Sequence, residues 1–363
     1  MYIIQANCRW NRQEKGQALL LAERSVGDGQ LEFGGNVEGP TAEPDITGNI
    51  DAIEEVPRMS NGATLRIGTK YRLDNDVSLF QGDCLDLMRG IPDNSAELVV
   101  TSPPYNIGKS YEKRLDLKVY LDNQAKVIRE CIRILNPKGS ICWQVGNYVD
   151  RGAIIPLDMV LYPVFAGAGL KMRNRIVWHF EHGLHCSQRF SGRHEVIMWF
   201  TKSDEYIFNL DPVRVPQKYP GKKYFKGPKA GQYSCNPKGK NPGDVWDIPN
   251  VKHNHVEKTN HPCQFPVEMI ERLVLSMTRK NGLVFDPYMG VGTTAIAAIR
   301  HDRKAAGAEI VGKYHETAIK RIKLEAKGLL RTRPMNTPVY QPAGKDRIVI
   351  SPFLPALHGN AIP

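Results

Sequence analysis

From residue 77 onward the chain alternates short apolar runs with amphipathic stretches. "VSLFQGD" reads as a strand and turn, "CLDLMRGIP" as a short helix, and "AELVVTSPPY" as a second, buried strand. Residues 117–135 place apolar side chains at helical intervals and stop at Asn136-Pro137-Lys138-Gly139, a cluster of helix breakers. "SICWQVG" is a further strand, and "IIPLDMVLYPVFAGAG" a helix kinked at Pro163. "MRNRIVWHF" and "HEVIMWFTKS" read as two more strands. After a break the rhythm resumes. "PVEMIERLVLSMT" is helical, "GLVFDPYMGVGTTAIAAIR" is strand, glycine turn and helix, "KAAGAEI" is a strand, and "HETAIKRIKLEAK" a helix. Alternating strands and helices predict an α/β fold whose sheet is covered on both faces.

Three segments depart from this pattern. Residues 1–72 show little periodicity, and Gly, Pro and acidic residues dominate 26–57, which predicts a partly disordered extension. Residues 209–260 hold ten Lys or Arg against four acids, with Tyr219, Tyr224, Phe225, Tyr233 and Trp246 interleaved. A loop of that length inside a compact fold is usually functional or disordered. The last thirty residues contain six prolines and read as a tail.

Charge sharpens this picture. The net charge is +11, although residues 25–56 carry eight acids and no Lys or Arg. The remainder is therefore more basic than the total, which suggests a polyanionic partner, nucleic acid first. No apolar run approaches the roughly 18–20 residues of a membrane span. Seven cysteines with no CxxC pair argue against a disulfide framework and for a reduced, intracellular protein.

Two stretches carry candidate chemistry. In "FDPYMGVGTT", Gly290 and Gly292 lie between a buried strand and a helix opening at Thr293-Thr294. Such glycines permit a tight turn and close approach to a ligand. Glu309 ends the next strand, where a carboxylate can accept from both hydroxyls of a ribose. The full GxGxxG of a dinucleotide site and the Lys of a phosphate loop are missing. Asp286 would repel a pyrophosphate but suits a cationic ligand. S-adenosylmethionine, with its sulfonium and amino groups, fits better than NAD or ATP.

The second stretch is "SPPY", residues 102–105, directly after a buried strand. Two prolines fix a stiff corner that cannot continue a ladder. An exocyclic base amine is a poor nucleophile because its lone pair is delocalised, and methylation moves the nitrogen toward tetrahedral geometry. Fixed hydrogen-bond acceptors around the NH2 favour that change. The Ser102 oxygen and a proline-locked carbonyl supply them, Tyr105 can stack on the base, and the base must leave the duplex to arrive. This holds only if the strands bearing Ser102 and Asp286 are neighbours with both carboxyl ends on one edge.

Together "TSPPY" (101–105), "HPCQFP" (261–266) and "FDPYMGVGTT" (285–294) resemble the beta class of DNA amino-methyltransferases, over about residues 75–327. The resemblance implies a class I S-adenosylmethionine-dependent methyltransferase fold: a seven-stranded mixed sheet, helices on both faces, and an inserted DNA-recognition region. It implies a catalytic half at 73–208, target recognition at 209–260, a donor-binding half at 261–330 and a tail at 331–363. Ser102, Pro103, Pro104 and Tyr105 carry over as the catalytic motif. Asp286, Gly290, Gly292 and Thr293 carry over to the donor, with Glu309 on the ribose, Asp83 near the adenine and Phe265 flanking the methionine part. Lys218, Lys222, Lys223, Lys226 and Lys229 fall in the recognition region as candidate DNA contacts.

In this family Ser before Pro-Pro-Tyr usually accompanies N4-cytosine, and Asp or Asn N6-adenine. The implied activity is therefore transfer from S-adenosylmethionine to cytosine N4 in duplex DNA, with N6-adenine as the alternative. Implied partners are double-stranded DNA and a cognate restriction endonuclease. The implied setting is the cytoplasm of a bacterial or archaeal cell, or a phage-encoded protein there, as monomer or homodimer and away from membranes.

Rival readings are weaker. Pro-Cys-Gln in "HPCQFP" matches the nucleophile tripeptide of cytosine-C5 methyltransferases, but that family places it after the glycine turn, so Cys263 reads as packing. His253, His255, His261 and Cys263 match no recognised zinc spacing, so no metal is expected. A non-catalytic DNA-binding regulator would have no need of the intact corner and turn.

Overall fold

The computed structural model describes residues 52–59, 62–109, 112–183 and 185–341. In chain order the elements are β1 (Ile53–Pro57), β2 (Thr64–Gly68), β3 (Val77–Gln81), α1 (Cys84–Arg89), β4 (Ala96–Thr101), α2 (Leu117–Ile134) and β5 (Leu135–Val145). There follow β6 (Asn147–Asp150), β7 (Ala153–Pro156), α3 (Leu157–Gly167), β8 (Lys171–His179), β9 (His194–Thr201) and β10 (Val245–Asp247). The last are α4 (Val267–Met277), β11 (Leu283–Asp286), α5 (Thr293–Arg300), β12 (Lys304–Glu309) and α6 (Gly312–Ala326).

Ten strands form one sheet in the order β1-β2-β3-β12-β11-β4-β5-β9-β8-β10. The middle seven, β3 to β8, are the expected mixed sheet. All run parallel except β9, which is antiparallel to β5 and to β8. The parallel strands are apolar on both faces because both faces are covered. On β4, Leu98 and Val100 pack toward α4, α5 and α6, while Val99 packs toward α1, α2 and α3. On β11, Val284 faces the first set of helices and Phe285 the second.

The structure corrects the sequence reading at several edges. Residues 53–57 and 64–68, assigned to a partly disordered extension, are strands β1 and β2. The rest of that extension, through residue 51, lies outside the described residues. The strand expected at 140 begins at Leu135, immediately after α2. A small hairpin, β6–β7, precedes α3, and α3 runs through Pro163. The start of the predicted tail is docked: Arg333 pairs with buried Glu268, and Asn336 accepts from Arg272 at 2.9 Å. Residues 342–363 lie outside the described residues. Among the described residues no helix is long and apolar enough to cross a membrane.

Candidate active site

β4 and β11 are adjacent and parallel, with Leu98 opposite Val284 and Val99 opposite Phe285. The condition set by the sequence is therefore met. Residues 102–105 and the glycine turn leave the sheet side by side, at the edge where ligands of open α/β sheets bind. The reversed strand β9 starts at this same edge, where Val196 pairs with Val145 at the end of β5.

A buried polar knot joins the two turns. Asp286 is 0% exposed. It accepts from the hydroxyls of Thr101 and Thr294, each at 2.6 Å, and from the Tyr288 amide at 3.0 Å. Burial pushes its pKa up to about 6 in spite of these three donors. The sequence suggests that Asp286 faces a cationic ligand. The structure instead turns it beneath the site, where it ties β4 to the start of α5.

A cavity of about 480 Å³ opens above this knot. Its volume lies in the range of small-molecule sites. Ser102, Pro103, Pro104 and Tyr105 form one wall; Asp83, Phe265, Gly290, Thr293 and Glu309 line the rest. Asp83 also caps α1, accepting from the Leu85 amide at 2.8 Å. Glu309 accepts from the amides of Gly290 at 2.9 Å and Val311 at 2.7 Å, which fixes its carboxylate while each oxygen keeps a lone pair. Desolvation raises its pKa, opposed by those two amides.

The two glycines have different duties. At Gly290, with φ +55°, an added Cβ would meet only the His261 ring, at 3.8 Å, and the Tyr288 carbonyl, at 3.9 Å, so its open side belongs to the cavity. At Gly292, with φ +80°, the Cβ would sit 3.0 Å from the Ala318 Cβ on α6. Gly292 therefore serves helix packing and does not line the cavity, contrary to its assignment as a donor contact. Thr293 is held from below by Arg321, which donates to its hydroxyl at 3.2 Å and to the Val291 carbonyl at 2.6 Å.

The proline corner is more engaged than its sequence suggests. Tyr120 donates to the Pro104 carbonyl at 2.9 Å. The acceptors left at the corner are the Ser102 hydroxyl and the Pro103 carbonyl. Tyr105 lines the cavity but is largely buried, with its hydroxyl 3.1 Å from both Ser102 Oγ and Glu195 Oε2. Glu195 also receives the Gln144 amide. No sequence motif points to Glu195 or Gln144, because each meets the corner only across the sheet. Cys263, read as packing, is exposed and lines the cavity. His261, which opens "HPCQFP", also lines it, as do Asn123 and Lys126 of α2 and Tyr314 of α6, which no motif announced.

The recognition region stands away from this cavity. Lys218, Lys222, Lys223, Lys226 and Lys229 are exposed and pair with no carboxylate among the described residues. Lys218 lies over the Tyr219 ring at 5.5 Å and Lys223 over Tyr233 at 5.2 Å. Of the interleaved aromatics Tyr219, Tyr224, Phe225 and Tyr233 are exposed, whereas Trp246 is buried in β10 beneath the Arg272 guanidinium. Between the end of β8 and the start of β9, residues 185–193 carry Arg189, Arg193 and a fully exposed Phe190. Among the described residues no group of three or more His, Cys, Asp or Glu is placed to hold a metal ion.

Residues 96–320 match the family described as DNA methylase, the N6/N4 methyltransferases. The type II methyltransferase M.BglII of Bacillus subtilis is 54% identical over 66% of this chain and 67% of its own length. The DNA adenine methyltransferase YhdJ of Escherichia coli K12 is 30% identical over 69% of this chain and 84% of its own. A DNA modification methylase of Thermus thermophilus, solved in complex with S-adenosyl-L-methionine, superposes with a TM-score of 0.51 at 29% identity. It covers 69% of this chain and 94% of its own. The cytosine-N4-specific PvuII DNA methyltransferase shares the fold, with a TM-score of 0.54 at 19% identity over 72% of this chain and 96% of its own.

Proposed function

This chain belongs to the N6/N4 DNA methylase family, and on that premise we propose that it methylates the exocyclic N4 amine of a cytosine flipped out of duplex DNA. S-adenosylmethionine supplies an electrophilic methyl group on its sulfonium. The chain's own residues do the rest. Glu309 and Asp83, both on the cavity wall, would take the ribose and adenine, and Phe265, also on the wall, would flank the methionine part. The side of Gly290 without a Cβ leaves room for the donor against the turn. Ser102 and the Pro103 carbonyl accept hydrogen bonds from the amine's two N–H groups, which draws the nitrogen lone pair out of conjugation and toward the methyl carbon. As the N–C bond forms the sulfonium S–C bond breaks, leaving a neutral thioether, and the methylated amine gives up one proton to solvent.

The observation that carries this reading is the single cavity shared by the Ser102 corner and the Gly290 turn. Serine at the head of the motif supports cytosine. The relationship to YhdJ, an adenine methyltransferase by name, supports N6-adenine as the second reading. DNA is expected along the exposed lysines of 209–260 and residues 185–193, with a cognate endonuclease acting on the same site. Digesting methylated DNA to nucleosides and weighing the product decides the base. N4-methylcytosine is expected. N6-methyladenine would overturn the base assignment alone, and 5-methylcytosine the mechanism too, because that ring carbon needs a covalent nucleophile.

A further inference from the structure

We propose that Glu195 is a positioning residue for methyl transfer: through the Tyr105 hydroxyl it turns the Ser102 hydroxyl so that an oxygen lone pair faces the incoming amine. The inference rests on the amine-methylation reading above.

The geometry is a three-membered relay. Tyr105 donates to Glu195 Oε2 at 3.1 Å, and its oxygen lies 3.1 Å from Ser102 Oγ. A phenol has one proton. With that proton on the carboxylate side, the contact to Ser102 closes only if serine donates and tyrosine accepts. Serine likewise has one proton. Once it points at Tyr105, only lone pairs remain on the cavity side. An amine that donates its hydrogens needs such an acceptor, and a serine proton aimed at it would oppose the reaction. A carboxylate at this position would need no such help, since it only accepts. Serine can face either way, and Glu195 removes the choice.

The surroundings hold the relay in place. Antiparallel pairing of β9 with β5 sets Glu195 beside the end of β5. Gln144 on β5 donates to the same oxygen of Glu195. Gly146 lacks the Cβ that would stand 3.1 Å from the Tyr105 ring and 3.5 Å from Glu195 Oε1. The phenol stays protonated, since burial and the neighbouring carboxylate raise its pKa well above the usual range. Desolvation raises the pKa of Glu195, opposed by the hydrogen bonds from Tyr105 and Gln144 and by the charge of Lys252.

The test uses the full chain, labelled S-adenosylmethionine and duplex DNA under single-turnover conditions. Glu195→Gln should slow transfer about 100-fold, as removal of one preorganised partner does. Donor affinity by calorimetry and KM for DNA should stay unchanged. Tyr105→Phe keeps the ring and removes the hydroxyl, so it should slow transfer comparably. In the double variant Glu195 has lost its only route to Ser102, so the loss should not exceed that of the worse single change. Parental transfer in either single variant would overturn the proposal, and so would multiplied losses in the double. Weakened donor binding in Glu195→Gln would assign Glu195 to the framework and also overturn it. If the parent protein puts no label on a base amine, the functional reading fails instead.

Discussion

Alanine at the two turn glycines should separate binding from stability. Gly292 has a φ of +80°, and its added methyl would lie 3.0 Å from the Ala318 Cβ and 3.2 Å from the Ala318 Cα. Those atoms belong to the fully buried face of α6, so the helix itself must move. The left-handed conformation costs about 1–2 kcal/mol for a residue with a Cβ. Overpacking adds about 1–3 kcal/mol. Gly292→Ala should therefore lose roughly 2–5 kcal/mol, or roughly 5–15 °C in Tm for a domain of this size. Gly290→Ala meets nothing closer than 3.8 Å, so it bears only the conformational cost. Its methyl, however, stands in the wall against which the donor would lie. Donor affinity should fall roughly 10- to 100-fold while Tm drops only a few degrees. Scanning calorimetry and titration calorimetry on both variants read the two effects separately. The argument fails if Gly290→Ala binds S-adenosylmethionine as the parent does, or if Gly292→Ala keeps its Tm and loses only the donor.

Three further outcomes follow from the same geometry. Asp286 has a folded pKa of about 6 against an ordinary 3.8, so the native state binds the proton more tightly and stability falls as pH rises between those values. Relative to the parent, Asp286→Asn should gain about 2 kcal/mol on going from pH 4 to pH 7, read by denaturant unfolding, and a constant difference would remove the buried charge from the account. Charge reversal at Lys222 and Lys223 should weaken DNA binding and lower the slope of log K against log salt by up to about 2, whereas an unchanged slope would move the phosphate contacts elsewhere. Cys263→Ser should still transfer methyl groups, and in the parent S-adenosylmethionine should slow maleimide labelling of Cys263, since that thiol is exposed on the cavity wall; equal labelling rates would place the donor away from it.

How legible the molecule was depended on where each residue is buried. The strands β4 and β11 could be read directly, because a parallel strand covered on both faces is a continuous apolar run. Their adjacency was a condition the chemistry required, and only the structure supplies it. β1 was missed because it is a mostly polar edge strand on which only Val56 is buried, and β2 because its five residues carry only two large apolar side chains, Leu65 and Ile67. β10 is three residues long and lies inside a basic, proline-rich stretch, so no strand could be read around Trp246. Asp286 and Gly292 were identified as parts of the turn but given the wrong neighbour, since local spacing does not tell a cavity wall from a packing surface. Glu195 stands 90 residues from Tyr105 in sequence, and no local pattern announces such a pairing.

The interleaving of the sheet also bears on how the protein is made. β4 must wait for β11, and the hydroxyl of Thr101 for a carboxylate 185 residues later. At about 5–20 residues per second of synthesis, that wait is on the order of 10–40 s. Throughout it, β4 has an apolar edge without its partner strand, the kind of exposure that invites aggregation or chaperone binding. The same delay has a protective side. The proline corner emerges early but has no donor seat until the glycine turn and β12 arrive. A chain interrupted anywhere before Glu309 lacks the donor seat, so every molecule able to modify DNA has been translated at least through β12.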